Sequence, residues 1–180
     1  GQRFFVVETS APGLVVEPPM QMLALSGSRT SLVRLSDVKA ASVITPSDGA
    51  GARTGGLSTT ALALGATKAS ITIIEKESIK RPELKPIAEQ LLFEVLNLLE
   101  RLHFAATMGI EKDDQDRLRA DANGVVIRAA QAALVASKGA GFVHGHLAEQ
   151  FVRESMFFLV WSCPQAVAHA VMCDLAGNTE

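Results

Sequence analysis

Apolar residues recur along this chain with two different periods, and the period changes near residue 50. Before the change the pattern is that of strands. Phe4-Phe5-Val6-Val7 is a short apolar run, and Ala11-Pro12-Gly13 places Pro and Gly as a turn requires. Leu14-Val15-Val16 predicts a second strand, stopped by Pro18-Pro19. From Ser31 to Leu35 polar and apolar residues alternate, which gives a strand one wet face. A last strand is predicted around Val43-Ile44. So few strands cannot bury both faces by themselves. Residues 46–56, PSDGAGARTGG, read as a linker of Gly and small polar residues.

After the linker the period is helical. A first helix is predicted from Leu57 to Lys80, apolar nearly all round in its first half (Ala61 to Leu64) and therefore buried on most sides. Arg81-Pro82 ends it. A second runs from Leu84 to Met108 with Ile87, Leu91, Val95, Leu98, Leu102 and Ala106 on one face, and Gly109 closes it. A third starts near Lys112, with Asp113, Asp114 and Asp116 where the helix dipole favours negative charge. Its core stripe is Leu118, Ala122, Val125, Ala129, Ala132 and Ala136. Asn123-Gly124 weakens it midway, which predicts a kink or a close neighbour there.

That helix should break at Gly139-Ala140-Gly141-Phe142 and turn through His144-Gly145-His146. A fourth is predicted from Leu147 to Val160, with Phe151, Ser155 and Phe158 on its inner face. Ser162-Cys163-Pro164 interrupts it, and a short helix ends at Gly177. Short loops make neighbours antiparallel. The fold expected is mainly α: a partial antiparallel β domain over residues 1–50, then an up-and-down four-helix bundle over residues 51–180.

Composition narrows the function. Of 180 residues, 48% are hydrophobic and the formal net charge is −2, without the basic footprint of a nucleic-acid binder. LLFEVLNLL is interrupted by Glu94 and Asn97, and no uninterrupted apolar run reaches the length of a membrane span. Cys163 and Cys173 form no CxxC and read as reduced thiols of a cytoplasmic protein. The chain opens without Met and almost at once enters a strand, so it reads as the C-terminal part of something longer. The apolar first helix and the unpartnered strand faces predict a homodimer or homotetramer.

Three motifs carry a family resemblance. The first is Leu25-Ser26-Gly27-Ser28-Arg29-Thr30 with Leu32-Val33-Arg34-Leu35-Ser36-Asp37-Val38 behind it. The second is the Gly65-bearing helix that ends in Arg81, followed by Lys85-Pro86-Ile87-Ala88-Glu89-Gln90. The third is Lys138-Gly139-Ala140-Gly141-Phe142, then Glu149, Arg153 and Glu154. In order and spacing they are similar to the Gly-Ser-x-Thr, Arg-x-x-Phe-Gly-Lys-Pro-Ile, Gly-Gly-x-Gly-Tyr/Phe and Glu-Arg-x-x-Arg-Asp runs of the acyl-CoA dehydrogenases. The chain resembles the C-terminal half of that family, the end of its middle β domain and its C-terminal bundle. The resemblance implies FAD as cofactor, with Arg81, Gly139, Ala140 and Gly141 toward the nucleotide, and an acyl-CoA as substrate.

Departures from the family pattern bear on the chemistry. The family needs a carboxylate to remove the α proton of the thioester. Where the pattern places it, this chain has Trp161, so no catalytic residue is assigned. Ser155 to Cys173 contains no Asp or Glu, and neither does Gly49 to Ile74, the alternative place for a base. Leu84, Val135, Lys138 and Gln150 stand where the family has Phe, Gln, Gly and Arg. Two readings follow: an acyl-CoA dehydrogenase-like flavoprotein seen as its C-terminal part and not catalytic alone, or a degenerate member kept as an assembly or binding module. Trp161 reads as an aromatic filling the substrate's place. Arg153 and Glu154 read as an interhelical ion pair. His144 and His146 read as loop histidines, with no third ligand for a metal.

Overall fold

The computed structural model describes residues 3–45, 56–161 and 163–177. The predicted linker therefore lies almost wholly outside the described residues, as does Ser162. The chain divides into two compact units, residues 1–53 and 54–180.

The first unit holds four three-residue strands, β1 (Phe4–Val6), β2 (Leu14–Val16), β3 (Val33–Leu35) and β4 (Ser42–Ile44). They pair as two antiparallel ladders, β1 with β4 (Phe4 opposite Ile44) and β2 with β3 (Leu14 opposite Leu35). Glu17 N–H to Leu32 and Met20 N–H to Thr30 carry the second ladder onward. The turn before β2 needs its glycine. Gly13 has φ +86°, and a Cβ there would lie 2.0 Å from the Ser36 carbonyl oxygen. Among the described residues of this unit none is buried, as expected of so few strands.

The second unit is the helical bundle. Its helices are α1 (Leu57–Ser78), α2 (Lys85–Met108), α3 (Lys112–Gly141), α4 (Leu147–Ser155), α5 (Phe157–Val160) and α6 (Gln165–Leu175). α3 is its axis and packs on α1, α2, α4 and α6. Ala122, Ala129, Ala133 and Ala136 of α3 are at most 2% exposed, so backbones approach closely without voids.

Several expectations shift by a residue or more. The inner face of α2 is Ala88, Leu91, Val95, Leu98 and Ala105, while Ile87 and Ala106 turn outward. α1 is not buried on most sides. One stripe from Thr60 through Leu64, Thr67 and Ile71 to Ile74 faces the core, and Ala61, Leu62 and Gly65 are exposed. The predicted fourth helix is two pieces, since α4 ends at Ser155 and α5 starts after Met156. α1 does have the length and composition of a membrane-crossing helix. Its stripe lies in the core beside residues of α2, α3 and α4.

Asn123-Gly124 makes no kink. The position instead has close neighbours: Asn123 is buried and bonded to the Phe158 carbonyl, and a Cβ on Gly124 would meet the Asp174 carboxylate of α6 at 3.5 Å.

Candidate functional site

Two places in the bundle interrupt a helix and could hold chemistry. The first is the end of α3. Lys138 leaves the helical path at φ 53°, ψ −149°, one residue before the expected break. Glycine enters that conformation readily and side-chain-bearing residues rarely do. The chain resumes a helical turn through Gly141, and Phe142 and Val143 close back onto Gly139 and Ala140 with N–H donors at 3.2 Å. Gly141 is required for packing, because a Cβ there would lie 2.6 Å from Ser137 Cβ and 3.1 Å from the Leu134 carbonyl oxygen. Gly139, by contrast, faces open space.

Arg81 comes to this place from the connection after α1. Its Nη2 donates to the Ala136 carbonyl beside the interruption, and also to Glu77 at 2.7 Å. The four residues proposed from the sequence for a nucleotide are thus near one another: Arg81 at Ala136, and Gly139, Ala140 and Gly141 just beyond. The side chain of Arg81 is only 21% exposed. Part of its charge is already used within the bundle. It is not the solvated helix-end cation that its position in sequence suggests.

Past the turn, Gly145 takes φ +89° and His146 caps α4, its Nδ1 accepting from Ala148 N–H at 3.1 Å. Glu149, in the first turn of α4, accepts from Arg153 at 2.7 Å, from His144 at 2.9 Å and from Gly145 N–H at 3.1 Å. The bond from Arg153, with help from that backbone N–H and from His144, holds the Glu149 carboxyl at about 2. An interhelical ion pair was expected of Arg153 and Glu154; Arg153 pairs within its own helix with Glu149, and Glu154 accepts from Gln150 of the same helix. A cleft of about 280 Å³ is lined by Leu134, Phe142, His144, Glu149, Val152 and Arg153. Among the described residues no group of three or more His, Cys, Asp and Glu could hold a metal.

The second place is the connection from α5 to α6. Trp161 stacks on Phe157 with ring centroids 5.4 Å apart, yet it is 52% exposed. It is a surface aromatic more than a core filler. Cys163 packs partly buried against the core, and burial pushes its thiol up. Cys173 lies 3.8 Å from His169 of the same helix, and both thiols are free.

Sequence reading missed the group behind this connection. Arg119, 1% exposed, donates through Nε to Asn123 at 2.9 Å, and Asn123 donates to the Phe158 carbonyl at 2.8 Å. The weak Asn123-Gly124 step in an otherwise strong helix was the one available signal. Two further clefts, of about 370 and 400 Å³, border α3 and α6. Much of their charge is already paired, as Arg101–Asp121, Arg128–Glu94 and Lys112–Asp116.

No family model and no curated protein matches the chain by sequence. Solved structures do match. A glutaryl-coenzyme A dehydrogenase in complex with glutaryl-CoA is 19% identical with a TM-score of 0.71, over 97% of this chain and 50% of that one. Glutaryl-CoA dehydrogenase from Mycobacterium smegmatis is 16% identical with a TM-score of 0.76, over 97% and 51%. The chain has the fold of the C-terminal half of an acyl-CoA dehydrogenase. KijD3, in complex with FMN and a dTDP-linked amino-keto sugar, is 15% identical with a TM-score of 0.65, over 97% and 51%. Solved structures of this fold thus hold different molecules, glutaryl-CoA in one and FMN with a dTDP-linked sugar in another. The chain spans about half the length of the structures it matches.

Proposed function

We propose that this chain is the helical half of an acyl-CoA dehydrogenase-like flavoprotein, offering a phosphate-binding corner to FAD but no base for the oxidation. The observation that carries this reading is the meeting of Arg81 with the end of α3, next to the open face of Gly139. A guanidinium beside a glycine that leaves room for close approach suits a diphosphate. Lys138, exposed at the same turn, adds a second positive charge. When bound, FAD would supply the hydride acceptor. The residues of this chain would hold its phosphates.

The acyl-CoA side rests on the fold alone. In the stretch from Ser155 to Cys173 there is no carboxylate to take a proton. Glu149 is a poor substitute, because a carboxyl held at about 2 has little affinity for a proton at neutral pH. Acyl-CoA oxidation by this chain alone is therefore not expected.

The test is equilibrium dialysis of the chain with FAD, ADP and riboflavin. FAD and ADP should bind weakly and riboflavin not at all, and Arg81→Ala should remove the difference. Equal binding of riboflavin, or no loss in Arg81→Ala, would discard the corner. A parallel dye-reduction assay with acyl-CoAs of several chain lengths and added FAD should stay at the buffer blank. Turnover with any of them means that a base reaches the thioester from elsewhere.

One observation favours the second reading, a degenerate member kept for assembly. Arg81 is already engaged by Glu77 and Ala136. On that reading the bundle is a homodimer or homotetramer. Its contact surface would be the outer side of α2, where Ile87, Phe93, Leu96, Phe104 and Met108 are all at least 45% exposed, and not α1. Sedimentation as a monomer at high concentration would remove it. Free, unpaired cysteines support a reducing, cytoplasmic setting on either reading.

A further inference from the structure

α6 turns Val167 and Val171 into the core. By the helical period its opposite side carries Gln165, His169, Met172 and Cys173. Gln165, His169 and Met172 are exposed, and Cys173 is half-buried. No residue of that side carries a permanent charge. The one Asp, Glu, Lys or Arg among Gln165–Leu175 is Asp174, and its carboxylate lies toward α3, 3.5 Å from where a Cβ on Gly124 would be. The solvent side of a bundle helix is ordinarily charged. A neutral one can be covered by another helix without stripping water from an ion.

His169 and Cys173 stand one turn apart on this side, so the backbone fixes their spacing. The Cys173 sulfur is 3.8 Å from Nδ1 of His169 and 4.0 Å from Nε2. Zinc bonds of about 2.3 Å to sulfur and about 2.0 Å to nitrogen, at a tetrahedral or slightly wider angle, put the two donors about 3.5 to 3.8 Å apart. The pair therefore already has the bite of a chelate. Two donors are half of what a closed zinc site takes. Among the described residues this chain has no group of three or more such donors.

We propose that His169 and Cys173 are half of a zinc site, and that the other half is the same pair on a second copy of this chain. A two-fold axis brings identical surfaces together, so the neutral sides of the two α6 helices meet and each His169–Cys173 pair faces its mate. The four donors form a Cys2His2 set, the tetrahedral kind that zinc favours. Each Cys173 thiol gives its proton to water, and the thiolate bonds to the metal. Each His169 gives a ring-nitrogen lone pair. The two thiolates balance the charge of the dication. The proposal needs no flavin and does not use the outer side of α2, so it stands apart from both readings above.

The experiment takes the reduced, metal-free 180-residue chain and adds zinc, with cobalt as a coloured stand-in. In sedimentation the mass should double with zinc and return when a chelator removes it. Binding should saturate at one metal per two chains. Cobalt should show the thiolate charge-transfer band and the visible bands of a tetrahedral site. His169→Ala and Cys173→Ser, both changes at the protein surface, should each abolish the mass change and the cobalt bands. Cys163→Ser should leave both intact. A mass unchanged by zinc, saturation at one metal per chain, or cobalt bands that survive Cys173→Ser would each overturn the proposal.

Discussion

Two interruptions of the bundle, at Lys138–His146 and between α5 and α6, are built differently. At the first, polar groups are matched: Arg81 has Ala136 and Glu77, Glu149 has three donors, and His146 caps a helix. At the second, Trp161 stacks on Phe157 at the surface, and the buried Arg119, tied through Asn123 to the Phe158 carbonyl, keeps two unmatched nitrogens. A matched site is one that side-chain substitution weakens by single bonds. An unmatched one depends on the few bonds it has. The comparison predicts that the second interruption is more fragile to the loss of one polar side chain, and that the first is limited by space and backbone strain.

The largest effect should come at the second interruption. Asn123→Ala removes both the acceptor for Arg119 Nε and the donor to Phe158. It leaves a buried cation with no bond at all, at a cost of about 3 to 5 kcal/mol. Urea unfolding should show a large fall in midpoint. A loss below about 1 kcal/mol would mean that solvent reaches Arg119 and that the contrast between the two places is false.

At the first interruption the constraint is volume. Gly141→Ala puts a Cβ 2.6 Å from Ser137 Cβ and against the Leu134 carbonyl, so α3 or the turn must shift. Overpacking of this kind costs about 1 to 3 kcal/mol. Gly139→Ala, which meets nothing within 4 Å, should cost much less. Equal losses for the two would remove the spatial argument.

How much of this could be read from the sequence differs between the same two places. The glycine turn announced itself, since Gly139, Gly141 and Gly145 mark breaks whatever packs on them. The helices were legible because their apolar periods are long, and the bundle follows from them. Errors of one residue in the face of α2 arose because Ile87 and Ala106 fit the period as well as Ala88 and Ala105 do. α1 misled because Ala61 and Leu62 are apolar yet face outward, while Thr60 and Thr67 face inward, the latter bonding its own helix at Ala63. Arg119 was invisible because an arginine beside a core stripe ordinarily reaches solvent. Only its neighbour Asn123 hinted that the helix carries a polar task there.

A smaller effect should run the other way. Lys138 holds a backbone conformation that suits glycine, at a strain of about 1 to 3 kcal/mol. Lys138→Gly relieves it and should raise stability by about 1 kcal/mol after the entropy that glycine loses. If the variant is less stable than the parent, Lys138 is held by a favourable contact and the turn is not limited by strain.

The smallest effect concerns acid, and it tests whether the first interruption is matched as described. Glu149 is held at about 2 chiefly by the bond from Arg153, then by Gly145 N–H and His144. In the unfolded chain a glutamate titrates at about 4.3. A carboxyl depressed on folding adds stability that is fully present above the unfolded value and disappears as pH falls through the folded one. The contribution of Glu149 should therefore be constant from neutral pH down to about 5 and vanish toward pH 2. Glu149→Gln removes it at every pH. Melting curves of the parent and the variant should lie apart near neutrality, by little because the pair is near the surface, and converge at the acid end. Hydrogen exchange at the start of α4 should quicken in the parent over the same window and be insensitive to pH-linked loosening in the variant, once intrinsic exchange is corrected. A separation that persists unchanged to pH 2 would show that Glu149 is held by something other than its charge, and the matched character of this place would rest on Arg81 and His146.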